Sequence, residues 1–167
     1  LLMAAIEVSI AEAIKDELNE NTWSMEFVAV RNEADPATPL TSLGEVRVDV
    51  VPWQPMTELE SRGEILYTVP VDILIRKRFG AGDQQLDTTG EIDVSETDRL
   101  RNLAQEIREF WMPSQTTKDG RELTAVPNAA WEETRIMAAM VRPHFRQYRQ
   151  FTAWIRVTYT MSKVAGT

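Results

Sequence analysis

The sequence predicts an α+β fold in which a mainly antiparallel, mixed sheet of about five strands packs with two helices. Three observations lead to this prediction: a long alternating stretch over residues 65–79, two amphipathic helical patterns, and strands that arrive in consecutive groups. The predicted order is α-β-β-β-α-β-β, which favours antiparallel pairing with the helices on one face. The length of 167 residues and the hydrophobic fraction of 43% fit a single domain spanning residues 1–167.

The first helix is predicted over residues 3–19, where apolar side chains recur at helical spacing and most charged side chains lie elsewhere. A strand over residues 23–31 follows, with apolar side chains on one parity. Residues 32–43 are predicted to form a long polar loop, because Pro36 and Pro39 interrupt regular structure there.

The second strand, over residues 45–51, has the most regular alternation in the chain. Valine occupies every second position, and Arg47 and Asp49 lie between the valines on the opposite face. Pro52 and Pro55 end this strand.

The third strand, over residues 65–79, is unusually long for a domain of this size. Its odd positions from Ile65 to Ile75 are apolar or aromatic and its even positions include several polar residues, which predicts one buried face and one solvated face. Because Pro70 has no N–H to donate, we expect an edge position or a bulge there. A chain built on long strands with exposed edges is better suited to assembly than to catalysis.

The second helix is predicted to run from Ser95 to Trp111, and Pro113 ends it. Two further long loops flank it, near residues 80–91 and 113–130. Loops of this length in a compact domain are usually functional, disordered or ordered by a partner.

Two strands are predicted to close the chain. Residues 131–141 are apolar on both parities, which predicts burial on both faces, either by the core or by a neighbouring molecule. Residues 151–161 alternate cleanly, and residues 142–146 are predicted to be the connection between the two strands.

Composition excludes several kinds of site. The chain has no cysteine, so it has no disulfide, thiolate nucleophile or cysteine metal site. The net charge of −8 argues against a general affinity for nucleic-acid phosphates. The glycines of residues 79–83 are more typical of a hairpin tip than of a phosphate loop, and the single histidine, His144, is more typical of an ordinary loop residue than of a catalytic base.

Asp49 and Asp72 are the most plausible pair of metal ligands, because they lie on the polar faces of two predicted neighbouring strands. A metal-dependent nuclease could use carboxylates in this arrangement. The alternative that we favour is that both are solvated strand residues paired with Arg47 or Arg76.

Four residues are candidates for an interface. Arg76, Lys77 and Arg78 form a basic cluster at the end of the long strand, where they could contact nucleic acid, protect a strand edge or meet an acidic neighbour. Trp53 lies just after a strand, near two prolines, and tryptophan is enriched at interface hot spots. We interpret these four residues as contacts with a neighbouring subunit.

Charge is distributed unevenly along the chain. Arg142, Arg146, Arg149 and Arg156 make the C-terminal part basic, whereas the N-terminal helix and residues 91–109 are largely acidic. This asymmetry suits head-to-tail contacts between subunits, although an ordinary surface can have the same distribution.

Across most of its length, the chain resembles the small tail-terminator or tail-completion proteins of long-tailed bacteriophages. The resemblance lies in the order of elements and in loose motifs rather than in one signature. The matching features are Arg31 at the end of the first strand, the proline-bearing loop of residues 35–40, the valine strand and proline of residues 46–52, Ser61-Arg62 before the long strand, and Leu100, Leu103 and Ile107 in the second helix.

The resemblance implies a homo-oligomer, a hexameric ring, that caps the tail tube, halts its polymerisation and joins it to the head or neck. Its partners would be the tail-tube protein and the neck or connector proteins, and DNA would pass through the ring without sequence-specific binding. Such a protein is made in the host cytoplasm and resides in the virion. It is not an enzyme, binds no cofactor, metal or membrane, and has no motif-defined site residues to carry over.

Two alternatives remain open. Within the same class, the chain could be another head–tail connector or a tail-tube-like subunit. From a different class, it could be a small metal-dependent nuclease that uses Asp49 and Asp72.

Overall fold

The computed structural model describes residues 4–33, 35, 37–42, 44–80, 94–114 and 119–164. Within them it has three helices and six strands, which confirms the predicted α+β class. The elements are α1 (Ile6–Glu20), β1 (Ala29–Arg31), β2 (Arg47–Pro52), β3 (Met56–Ser61), β4 (Glu64–Arg78), α2 (Val94–Trp111), β5 (Ala130–Ala138), α3 (Arg142–Tyr148) and β6 (Gln150–Val164).

All six strands belong to one mixed sheet with the order β1-β2-β4-β6-β5, and β3 pairs with β4 beside this path. Only the β1–β2 pair is parallel among the described strands, so the sheet is mainly antiparallel, as predicted. The predicted order lacked β3 and α3.

The two longest strands, β4 and β6, form the centre of the sheet. Each has 15 residues, and they pair along their whole length, from Glu64 opposite Val164 to Arg78 opposite Gln150. At about 3.3 Å per residue, the pair is roughly 50 Å long. One half is flanked by β2 and β5 and covers the core, whereas the other half extends alongside β3.

The hydrophobic core lies between one face of the sheet and helices α1 and α2. The odd-numbered residues of β4 from Tyr67 to Ile75 and of β6 from Phe151 to Met161 face this core, as the alternation in the sequence predicted. Its fully buried members include Ile10, Ile14 and Leu18 from α1, Ile73 and Ile75 from β4, Leu100, Leu103, Ile107 and Trp111 from α2, and Ile155, Val157 and Tyr159 from β6.

Pro70 lies in a central strand rather than at an edge. It stands where the β2 ladder, which ends at Val71, gives way to the β3 ladder, which ends at Thr68. The carbonyl of Pro70 accepts from the Trp53 N–H in the link between β2 and β3. In an antiparallel strand the N–H and C=O of one residue point to the same side. The N–H that Pro70 lacks would therefore point to the link between β2 and β3, where neither ladder requires a donor.

Two predicted strands need correction. The strand predicted at residues 23–31 is only β1, because Trp23 turns back to donate its indole N–H to the carbonyl of Leu18 and packs against Phe110. The prediction that both faces of the strand at residues 131–141 are buried is wrong within the subunit. No residue of β5 is buried, because β5 lies at the sheet edge and, among the described strands, pairs with β6 alone. Burial of β5 by a neighbouring molecule stays a prediction.

The connection predicted over residues 142–146 is helix α3, with Pro143 in its first turn, where the missing N–H is tolerated. The described residues of the loops at 32–43 and 113–130 contain no helix or strand before Ala130. Most of the loop predicted at 80–91 lies outside the described residues. No helix in the described part of the chain is long and apolar enough to cross a membrane.

Candidate assembly surfaces and the polar layer of the sheet

The sheet face opposite α1 and α2 has a layer of charged side chains at its centre. We call this the polar layer; its members are Arg47, Asp49, Asp72, Arg76 and Arg156. Strand register brings them together, because Arg47 stands opposite Arg76, and Asp72 stands opposite Arg156. Residues two apart on one strand share a face, so the five side chains all lie on one side of the sheet.

Asp49 is fully buried and lies between two guanidinium groups. Arg76, itself only 3% exposed, donates to its Oδ2, and the Nε of Arg47 lies 3.2 Å from its Oδ1. Asn32 donates to the same Oδ1. Arg76 also donates to the carbonyl of Thr38, in the loop that covers this part of the sheet.

Asp72 is 1% exposed and has a second set of partners. Arg156 donates to both carboxylate oxygens, at 2.8 and 3.2 Å, and the indole N–H of Trp53 donates to Oδ2. The guanidinium carbon of Arg156 lies 4.9 Å from the ring centroid of Trp53 and 5.7 Å from that of Trp154. Arg156 therefore combines a two-bond ion pair with cation–π contacts.

The prediction that Asp49 and Asp72 are solvated is wrong, because both are buried. Pairing with Arg47 and Arg76 is confirmed for Asp49, whereas Asp72 pairs with Arg156 instead. All four carboxylate oxygens accept hydrogen bonds within the chain. Nowhere in the described part of the chain do three or more His, Asp or Glu residues form a group that could hold a metal ion.

The predicted basic cluster makes its contacts inside the subunit. Lys77 is 5% exposed and donates to Glu96 at 2.8 Å, and Arg78 donates to the carbonyl of Leu40 at 2.6 Å. Arg76 belongs to the polar layer. As an interface these three residues stay a prediction, but Arg76 and Lys77 have little free surface to offer a neighbour.

Trp53 differs from the basic cluster because 46% of its surface is exposed. Its indole N–H is engaged by Asp72 and one ring face by Arg156. The rest of the ring remains accessible, so the prediction that Trp53 contacts a neighbour stays open.

His144 is not an ordinary loop residue: it lies in α3 and is buried against the sheet. Its Nδ1 and the Oγ1 of Thr152 are 2.9 Å apart, in hydrogen-bond contact. Burial lowers the pKa of His144 below its ordinary value of 6.5, nearby Arg76 lowers the pKa further, and Asp35 opposes both. No carboxylate hydrogen-bonds to His144 among the described residues, so the geometry gives it a packing role.

Glu17 forms a buried polar cluster that the sequence analysis missed. It is 5% exposed and accepts from Arg121 at 2.8 and 3.1 Å and from the N–H and hydroxyl of Thr124. Burial alone would raise the pKa of Glu17, but these bonds outweigh it and the net pKa is lowered. The cluster fastens the segment before β5 to α1. The signal in the sequence was a carboxylate beside Leu18, on the apolar side of the α1 pattern.

One end of the sheet forms an arm that continues from the edge of the core. We define the arm as β3 with residues 64–68 of β4 and 160–164 of β6. All six residues of β3 are exposed. Leu59 is 76% exposed, Met56 62% and Val164 56%, although all three are apolar. The sequence analysis missed β3 because its apolar residues fall on both parities, and Gly63, with a φ of +87°, is the turn signal that could have found it.

A second exposed surface lies at the other end of β6. Arg142, Arg146 and Arg149, in and just after α3, are all exposed. None of the three makes an ion pair with another described residue. We call this surface the arginine ridge.

No protein-family model matches the chain, and no curated protein matches it.

Proposed function

We propose that this chain is a virion structural protein, a ring-forming tail terminator that caps a phage tail tube and joins it to the head or neck. The observation that carries the proposal is the arm. Leu59, Met56 and Val164 expose apolar surface on a three-stranded extension whose outer strand, β3, has no buried residue. Exposed apolar strands with free edges favour association with another chain.

The choice among assembling proteins rests on the resemblance of the sequence to tail terminators. A ring subunit must contact a copy of itself on two sides and other proteins above and below. The arm and the edge strand β5 offer two surfaces for such contacts. The function is structural, requires no cofactor, and lets DNA pass without reading its sequence.

The nuclease alternative is not favoured by any observation. It would need the carboxylates of Asp49 and Asp72 to exchange their arginine partners for a divalent ion. Removing charged partners from buried carboxylates is unfavourable, since buried charges depend on their counter-charges.

The experiment is assembly of the purified chain alone and with tail-tube protein, followed by native mass spectrometry and negative-stain microscopy. We expect closed rings, with six copies as the main species, and tubes that stop growing when the rings are added. A chain that polymerises into tubes itself would instead be a tail-tube-like subunit. A chain that leaves the tube length unchanged and remains monomeric would contradict the proposal.

A variant with Leu59 replaced by Glu tests the arm directly. The side chain is 76% exposed in the subunit, so folding should be unaffected, whereas a ring that buries the arm should be weakened. The matched control is Val94→Glu, which changes a 71% exposed apolar residue at the start of α2, away from the arm. Equal assembly of both variants and the wild type would show that the arm is not an interface.

A further inference from the structure

We infer that the arm of one copy docks on the arginine ridge of the next copy, with the carboxylates of the arm paired to the arginines of the ridge. The inference rests on the proposed function, because it names the contact that would join neighbouring subunits of the ring. It is carried by two surfaces of opposite charge, whose glutamates and arginines make no ion pair with another described residue.

The arm is acidic on the face of the sheet that also bears the polar layer. Glu58, Glu60 and Glu64 are exposed, and none makes an ion pair with another described residue. Glu60 accepts from Ser162 on β6, and Glu64 accepts from the hydroxyl of Ser61, so both carboxylates lie over the arm. They stand beside apolar surface on the same face.

That apolar surface follows from the register of the arm. Met56 pairs with Thr68 and Glu58 with Leu66, so Met56 shares its face with the glutamates. Met56 is 62% exposed. The face therefore places one accessible apolar side chain beside carboxylates, as where the apolar core of a protein–protein contact meets its polar rim.

The arginine ridge has the complementary composition. Arg146 follows Arg142 by four residues, so the two lie on one side of α3, and Arg149 follows at its C-terminal end. Phe145 and Tyr148 are half-buried beside them. Three like charges within eight residues repel one another, so an acidic partner stabilises this surface.

The two surfaces lie too far apart to meet within one chain. The arm is anchored to β6 at Ser162, and α3 is anchored to β6 by the contact between His144 and Thr152. Ten residues of extended strand separate the two anchors, which corresponds to about 33 Å. A contact between them must join different copies, head to tail, and such a contact closes into a ring or continues as a filament.

A second copy fits the ridge better than nucleic acid does. The chain carries a net charge of −8, which argues against a general affinity for polyanions such as nucleic acid. The arm of a second copy, in contrast, presents three carboxylates, two on β3 and one on β4.

The first test is site-specific crosslinking, which is simple because the chain contains no cysteine. Variants Glu60→Cys and Arg146→Cys are prepared separately and treated with a short bis-maleimide, alone and mixed. We expect crosslinked dimers from the mixture and few from either variant alone, since a head-to-tail contact joins unlike positions. The control mixture pairs Arg146→Cys with Glu20→Cys, an exposed position at the end of α1.

The second test reverses the charges. Variant A carries Glu58→Arg and Glu60→Arg, and variant B carries Arg142→Glu and Arg146→Glu. Each variant alone would oppose like charges, so its assembly should weaken at least about tenfold. An equal mixture restores opposite charges at every contact when A and B alternate, and should assemble like the wild type. Unchanged melting of both variants checks folding.

The outcomes separate this inference from the proposed function. Rings that form in the wild type but show neither crosslinking nor charge dependence would overturn the arm-to-ridge contact and leave the ring proposal standing. Crosslinking and rescue in the mixture without any capping of tail tubes would support the contact and contradict the tail-terminator function. If variant B instead loses salt-sensitive binding of a short DNA duplex and no crosslink forms, the ridge is a nucleic-acid surface and the inference is wrong.

Discussion

Replacing Arg76 by methionine should destabilise the folded subunit by about 3–5 kcal/mol, because it leaves the fully buried Asp49 without its main counter-charge. Methionine preserves much of the aliphatic stem, so little of this cost comes from lost packing. Asp49 would keep Arg47 at 3.2 Å, but the Arg47 side chain is 44% exposed and its charge is screened by water. We therefore expect the lower part of the range, about 3 kcal/mol, which is a large share of the roughly 5–15 kcal/mol that stabilises a typical domain.

The measurement is urea unfolding followed by circular dichroism at pH 7, with Arg135→Met as the matched control. Arg135 pairs with Glu133 on the surface, where the two side chains are 62% and 50% exposed, so its loss should cost less than about 1 kcal/mol. The double variant Asp49→Asn with Arg76→Met removes both charges and should cost clearly less than the sum of the single changes.

Equal stability of the Arg76→Met and Arg135→Met variants would refute this reasoning, since it would mean that the charge of Asp49 does not depend on Arg76. The result also determines how the basic cluster can be tested. If Arg76 holds a buried carboxylate, reversing its charge unfolds the subunit, and lost assembly then says nothing about an interface.

Three further predictions concern stability. Gly63→Ala should lower the free energy of unfolding by only about 1–2 kcal/mol, because Gly63 has a φ of +87° but open space around it. Gly120→Ala should lower it more, because the new Cβ would lie 2.4 Å from the ring of Trp131. The melting temperatures of the two variants test this difference. Because burial lowers the pKa of His144, this side chain binds a proton more readily in the unfolded chain than in the folded one. The free energy of unfolding should therefore fall as the pH drops below 6.5. His144→Gln should flatten this dependence, measured by urea titrations at several pH values. Leu103→Ala, at a fully buried position of α2, should cost about 2–5 kcal/mol in the same assay, and a cost below 1 kcal/mol would contradict the described core.

The periodic elements were predictable from the sequence because their signals are local. The alternation in residues 65–79 predicted β4 and the face that it buries, and the helical spacing up to Trp111 predicted α2. A strand that buries one face in a core must alternate, and a helix must carry an apolar stripe, wherever the rest of the chain lies. β3 was missed because its apolar residues fall on both parities, and α3 was missed because seven residues form only about two helical turns.

The environment of the charged residues was decided only by the tertiary structure. Asp49 and Arg76 alternate with apolar residues and look solvated in the sequence, yet both are buried, since the loop containing Thr38 covers that face. Their pairing joins residues 27 positions apart. Burial of a polar face depends on which distant segment folds over it, and no pattern within a strand records that.

For the arm and the arginine ridge, too, the sequence determined one part and the tertiary structure the other. The sequence by itself determined that arginines concentrate in residues 142–149 and that the chain as a whole is acidic. Only the tertiary structure placed Glu58 and Glu60 on an exposed arm at the opposite end of β6 from that basic segment. Charge composition is a property of the chain, whereas the distance between charges is set by the strands that carry them.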